Sequence, residues 1–275
     1  MRRIVPIVTA LCAAALILAG AAFASGHASR RHATSSTAIN TYSTSIKFTT
    51  KAAGTAKKPV AIGYTQDIKA AGTQGNRTAV LLDLKTRIYG LVSNLKDFPT
   101  CSAAKIVAAT DDTVCPKGAE VATGGITAVL GSEQNFQAAG SPCTPLLHVW
   151  NSGPGKLTFF FVDQGSHQCI GLHTGQVGPY PATLKQQGKY MLLDVPIPTY
   201  VDFPVAGVAG SLMTEHLVWR KATTKVHGKT VPLFGSVACT GKTRPYSQSF
   251  KATLPSSTGG AATTQSATLS KKAAC

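Results

Sequence analysis

Seven cysteines in 275 residues, six of them after residue 100, constrain this chain more than any other feature. The first two of the six close a short segment, from Phe98-Pro99-Thr100-Cys101 to Cys115-Pro116-Lys117-Gly118. A crosslink closing a loop of about 15 residues removes on the order of 3 kcal/mol of unfolded-chain entropy. No Cys-x-x-Cys occurs, and histidines are not interleaved at zinc-finger spacing, so disulfides are expected and a structural metal is not.

The start of the chain says where such bonds can form. Met1-Arg2-Arg3 precedes an apolar run from Ile4 to Ala19, and Ala22-Phe23-Ala24 places small residues at a cleavage site. That positive, hydrophobic and cleavable order predicts a secretory signal peptide over 1–24. A cut after Ala28 is the weaker alternative. A retained anchor would need about 20 apolar residues, against which stand Gly20 and the cleavage site. Cys12 lies inside the run instead of ending it, unlike a lipoprotein cysteine, and Arg2-Arg3 alone is too little for a twin-arginine signal. Cleavage removes Cys12 and two arginines, leaving an even number of cysteines, a formal charge of 16 − 2 = +14 and no membrane span.

Lysine and arginine number 27 against 11 acids, yet charged residues make up only 14% of the chain, so the surface is expected to be Thr/Ser/Gly-rich with a positive bias. The cations are scattered, never more than two adjacent and without interleaved aromatics, which disfavours nucleic acid as a partner. An exported cationic surface more naturally meets anionic wall polymers or lipid headgroups, or simply keeps the protein soluble. The densest run, Arg220 to Lys229, holds Arg220, Lys221, Lys225 and Lys229 and no acid. It is expected on a loop between strands, as a contact for anionic cell-wall polymer or, more plainly, as a solvated loop.

Residues 25–41 are mostly Ala, Ser, Thr, Arg and His with one larger apolar residue, Ile39, and read as a flexible spacer. Beyond them the apolar period shortens to two. Ile46 and Phe48, then Val60, Ile62 and Tyr64, alternate with polar or small neighbours. Asn76-Arg77-Thr78 follows a turn and fits a glycosylation sequon, a weak three-residue pattern. Ala79 to Leu91 is conceivable as helix, but the alternation up to Leu84 and the Tyr89-Gly90 break favour strands; Ser102 to Ala109 is expected as one or two helical turns, and Glu120 to Leu130 as strand. The clearest hairpin runs from Leu146 to Trp150, through Asn151-Ser152-Gly153-Pro154-Gly155, to Leu157 through Asp163. Further strands are expected over Lys189–Val195, Leu212–Trp219, Val231–Cys239, Arg244–Leu254 and Thr264–Lys272.

About ten strands with frequent turns and little helix predict an all-β domain over 42–275, an antiparallel two-layer sandwich or jelly roll. Six cysteines allow fifteen pairings. Proximity favours the sequential set, Cys101 to Cys115, Cys143 to Cys169 and Cys239 to Cys275, the second stapling the open end of the hairpin.

These pieces together resemble a group of uncharacterised exported proteins of actinobacteria. The likeness rests on Phe98-Pro99-Thr100-Cys101-Ser102, Ile106, Cys115-Pro116-Lys117-Gly118, Val121 and Gly124-Gly125. It continues through the hairpin, the strand-then-proline segment Lys189 to Pro198, Thr214-Glu215-His216-Leu217 and a late cysteine, covering roughly residues 60–275. Where the group more often has a serine after the second cysteine, followed by valine and glycine, this chain reads Gly118-Ala119-Glu120-Val121-Ala122. The resemblance implies a secreted, disulfide-bonded β-rich domain and brings no activity or site residue with it.

Catalytic constellations are thin. Asp163, Ser166, His167 and His173 are close in sequence, but no Gly-x-Ser-x-Gly or His-Glu-x-x-His occurs, and two histidines six apart on a loop have no fixed ligand geometry. The acids that could serve a glycoside hydrolase, Glu120, Glu133, Asp163, Asp194, Asp202 and Glu215, are spread along the chain. Asp111-Asp112 reads as a turn, His148 and His216 as half-buried strand residues with hydrogen-bonded partners, and Phe159-Phe160-Phe161, Trp150 and Trp219 as core. The expectation is a non-catalytic secreted binding domain without cofactor. The alternative is a secreted carbohydrate hydrolase, which a cleft holding two acids would favour.

Overall fold

The structure, a computed structural model, describes residues 39–73, 75–163, 169, 177–256 and 260–275. The expected signal peptide, most of the expected spacer, and Ser166, His167 and His173 lie outside the described residues.

The period-two alternation becomes seventeen strands among the described residues: β1 (Asn40–Phe48), β2 (Val60–Ala61), β3 (Tyr64–Gly72), β4 (Val80–Tyr89), β5 (Leu91–Ser93), β6 (Glu120–Ser132), β7 (Ser141–Cys143), β8 (Leu146–Gly153), β9 (Lys156–Val162), β10 (Tyr180–Gln187), β11 (Tyr190–Pro196), β12 (Val208–Trp219), β13 (Thr223–Val226), β14 (Lys229–Pro232), β15 (Phe234–Ser236), β16 (Thr243–Leu254) and β17 (Thr263–Ala274). A helix over Ala103–Ala109 lies inside the first cysteine loop, capped by Ser102, whose side chain accepts from the Lys105 amide. A second, of one turn, spans Thr199–Asp202.

Twelve strands belong to one sheet in the order β1-β3-β12-β6-β8-β9-β10-β11-β4-β16-β17, with β7 attached to β6. Neighbouring strands along this path are antiparallel. The ends of the path come together: Lys271 Nζ on β17 donates to the Thr44 carbonyl on β1 at 2.6 Å, and Tyr42 stacks on Phe250 with ring centroids 4.1 Å apart. The main sheet is therefore a nearly closed barrel, which corrects the two-layer sandwich expected above. Alternation fixes which face of a strand is buried, and leaves open whether that face meets a second sheet or the far wall of its own.

What curls this sheet is local. Gly124 on β6 sits so close to β12 that an added Cβ would lie 1.9 Å from the His216 carbonyl oxygen, an approach only glycine permits. Register shifts between Leu212 and Thr214 on β12, and between Lys251 and Ala252 on β16, add the bends that closure needs.

The barrel interior is apolar. Tyr64 and Trp219, partners in register on β3 and β12, stack at 5.4 Å, and Phe234 on β15 packs edge-on against both. The small sheet β2-β15-β5 thus closes the interior at that end. The stretch expected as one strand over Val231–Cys239 is divided between β14 and β15, which belong to different sheets. β1 takes in Asn40 and Thr41, which composition assigns to the spacer, because Ile39 is buried against Ala79 and Ala252.

Three disulfides join Cys101 to Cys115, Cys143 to Cys169 and Cys239 to Cys275, the sequential set. The first holds its loop against β8, where Asn151 Nδ2 donates to the carbonyls of Leu95 (2.8 Å) and Pro99 (2.9 Å). Asp112 in the same loop accepts from Trp150 Nε1 at 3.0 Å and lies 2.6 Å from His148 Nδ1. At the third, the buried Arg244 guanidinium donates to Ser236 Oγ at 2.7 Å and to the Gly90 carbonyl at 3.2 Å. No helix among the described residues is long and apolar enough to cross a membrane.

Candidate functional site

At the end of the barrel away from Trp219 the interior is not filled. A cavity opens there, and together with the open solvent at its mouth it takes in about 870 Å³. Its walls follow from the alternation of the strands around it. Ile126, Ala128 and Leu130 project from β6, Leu147 from β8, Phe159 and Phe161 from β9, and Tyr180 from β10. The Cys143–Cys169 bridge forms part of one side, and the segment after β11 contributes Ile197, Val201, Asp202 and Pro204.

The polar groups are few and specific. Glu215 reaches the interior because of the register shift on β12. Before the shift Leu212 faces Ala128 and Gly210 faces Leu130, whereas after it Glu215 faces Ile126 and Leu217 faces Gly124. Cross-strand partners share a face, so one extra residue, Met213, moves Glu215 to the cavity side. Ala209, two positions before Ser211, packs instead with Val80 and Phe136. Asp202 arrives differently, from the helical turn that Pro198 opens.

Both carboxyls are nearly inaccessible, Glu215 at 6% and Asp202 at 5% exposure. Burial pushes Asp202 up to about 8. Burial likewise pushes Glu215 up to about 7, against the opposing hydrogen bond from Gln66 Nε2 at 2.8 Å. The Tyr180 phenol is raised well above its ordinary value by burial first, then by Glu215, Asp202 and Tyr200. In the sequence these two acids are only members of a set of six scattered carboxylates, because their sharing of one cavity is a property of the closed barrel and carries no local signal.

Two acids in one cavity meet the first requirement of a glycoside hydrolase, but the surroundings do not fit sugar. Acid and base work at one site needs environments that push two carboxyls apart, and here burial pushes both upward. Sugar hydroxyls need hydrogen-bond partners, which walls of Ile, Leu, Val and Phe do not supply. Ser211 Oγ is engaged elsewhere, donating to the Thr78 carbonyl at 2.7 Å. What such a cavity suits is an apolar body with a small polar end.

The remaining expected residues are dispersed. Asp163 accepts from the Cys169 amide at 3.1 Å. Asp194 joins Asp83 around Lys85 Nζ, at 3.6 and 3.0 Å. Glu120 opens β6 and Glu133 follows its last residue, both partly exposed. Asp111 accepts from the Thr113 amide as the expected turn does, while Asp112 turns inward to His148 and Trp150. His216 is 59% exposed, not half-buried, and lies 2.7 Å from Asp67 Oδ1. Burial raises the Asp67 carboxyl, but His216 and Ser45 outweigh it and leave the group below its usual range. Ser45 Oγ donates to Asp67 and not to the imidazole, so the three do not form a nucleophile–base pair. Phe159 and Phe161 face the cavity, and Phe160 packs with Trp150 against the first disulfide. In the sequon Asn76 is exposed and donates to the Gln137 carbonyl, and Thr78 is buried. Among the described residues no group of three His, Cys, Asp or Glu could hold a metal ion.

The cationic stretch expected as a loop is a β-hairpin, β13 and β14, turning at His227 (φ 48°) and Gly228 (φ 76°). Arg220 is committed to structure, donating to the carbonyls of Lys117 and Gly118 at 2.8 and 3.1 Å. Lys221, Lys225 and Lys229 are exposed. Lys225 faces Thr230 and Lys229 faces Val226, so these two lysines occupy opposite faces of the ribbon. The chain matches no protein-family model, no curated protein and no solved structure.

Proposed function

We propose that this protein is an exported, non-catalytic binding domain that holds a small apolar ligand in the open end of its barrel. The observation that carries the reading is the cavity itself: aliphatic and aromatic walls, with two buried carboxyls as the ionisable groups of its described lining apart from Tyr180. Preformed apolar cavities with a few placed polar groups are the usual form of a small-molecule site. Three disulfides, one of them in the cavity wall, fit an extracellular setting.

Titration with the neutral dye N-phenyl-1-naphthylamine tests this. A saturable rise in its emission at one dye per protein is expected, lost when Ala128→Phe fills the space beside Leu212. Emission that never saturates, or saturation unaffected by Ala128→Phe, would count against the cavity as the site.

A second contact, with anionic cell-wall polymer, is supported by the exposure of Lys221, Lys225 and Lys229 and by the absence of any acid from Arg220 to Lys229. It would locate the domain at the envelope without involving the cavity.

A further inference from the structure

We propose that the ligand of the barrel cavity is a hydrophobic amine, its apolar body along the Ile126–Leu147–Phe159 wall and its ammonium group at the Asp202 and Glu215 carboxyls. The inference rests on the reading of the cavity as a ligand site and adds the ligand's chemical class.

Charge is distributed inversely inside and outside this molecule. Cations outnumber acids 27 to 11 over the whole chain, yet the described lining of the cavity includes two acids and no lysine, arginine or histidine. Asp202 is only 5% exposed, and its side chain makes no hydrogen bond or ion pair among the described residues. Glu215 has one partner, the neutral Gln66 amide. The other titratable groups facing these acids are the phenols of Tyr180 and Tyr64, with Tyr200 beyond Tyr180, and none of them carries a positive charge in any protonation state.

A buried carboxylate without a counter-charge is unfavourable, and it is relieved either by taking up a proton or by meeting a cation. Both acids hold their protons to near or above neutrality, so the site is poised between these two solutions. An ammonium ligand displaces the protons and supplies the missing charge, with N–H donors for carboxylate oxygens that the fold leaves unengaged. A fatty acid would add a third carboxyl to a cavity that already holds two. A neutral alcohol would gain the apolar wall alone.

The test compares octylamine, octanol and octanoate by calorimetric titration of the full chain near pH 7. Octylamine is expected to bind at least tenfold more tightly than octanol, and octanoate more weakly than either. That order opposes the field of the strongly basic surface, which attracts octanoate and repels octylamine, so it can only come from the site. Octylamine binding should also release protons, seen as a dependence of the heat on the buffer's ionisation enthalpy, and octanol binding should release none. Asp202→Asn and Glu215→Gln, near-isosteric and relieved of a buried charge, should each bring octylamine closer to octanol while leaving octanol unchanged. Equal affinity for octylamine and octanol overturns the amine assignment and leaves the cavity reading standing. An amine preference that survives the double variant overturns the assignment to these residues. Failure of all three to bind saturably overturns both readings.

Discussion

Gln66 donates to Glu215 at 2.8 Å, a diagonal contact between β3 and β12 inside the barrel, where Glu215 pairs in register with Ile68 and Gln66 with Leu217. One neutral amide does not offset the removal of a carboxylate from water, and the group stays displaced toward its protonated form. The fold thus gives up stability to keep an acid at this position.

That cost has a sign in pH. Both cavity acids hold a proton more tightly folded than unfolded, reaching about 7 for Glu215 and about 8 for Asp202. Below the unfolded carboxylate values both states are protonated and there is no penalty. As pH rises the unfolded chain releases its protons first, so stability falls until the folded values are passed. Urea unfolding should therefore give a free energy lower at about pH 8.5 than at about pH 5 by on the order of a few kcal/mol, seen as a lower midpoint. Glu215→Gln and Asp202→Asn should each flatten the slope. Asp67, shifted the other way, acts only at lower pH, where carboxylates begin to protonate. A midpoint that climbs over this interval would contradict the assignment of both groups.

Gly124 and Gly125 are adjacent in sequence and opposite in consequence. A Cβ on Gly124 meets the His216 carbonyl oxygen at 1.9 Å, while one on Gly125 meets nothing closer than the Pro145 oxygen at 3.5 Å. Gly124→Ala is expected to cost about 3 kcal/mol or more, since β6 and β12 must separate. Gly125→Ala should change stability by less than about 1 kcal/mol. Equal thermal midpoints for the two variants would show that the close approach does not govern closure.

Asp112 ties the first disulfide loop to the barrel through Trp150 and His148. Asp112→Ala leaves the buried indole N–H without its acceptor, at an expected cost of about 2 kcal/mol, with a shift in tryptophan emission. Unchanged stability and emission would mean that the crosslink alone positions the loop.

Retention on purified cell wall addresses the cationic hairpin. Binding through Lys221, Lys225 and Lys229 should weaken strongly as salt is raised, because exposed charges are screened within about 10 Å at 0.1 M. It should also fall several-fold in Lys225→Glu with Lys229→Glu. Retention indifferent to both changes would remove the hairpin from the interface.

Much of the strand content is legible in the sequence because alternation is local. The β8–β9 hairpin shows in its turn chemistry, with Gly153 and Gly155 at positive φ, and the break between β4 and β5 falls at Gly90 (φ 66°). The helical turns after Ser102 and the sequential disulfides likewise follow from neighbours in sequence. β10 gives no such signal, since Pro181 argues against a strand interior and its apolar residues are only Tyr180, Ala182 and Leu184. Closure is not legible either, because it depends on which strands become neighbours across the sheet. The site is the least legible part. Glu215 faces inward through a register shift at Met213 that no residue type announces, and Asp202 lies on a turn that only the closed barrel sets over the cavity.

The meeting of β1 and β17 has one more consequence. They approach through a lysine contact and a stacked aromatic pair beside it, and no backbone ladder joins them among the described residues. Strand margins without a ladder invite strands from other molecules, the route to swapped dimers and fibrils. Here each margin occupies the space an intruder would need. Loosening the Tyr42–Phe250 stack would uncover two templates at once.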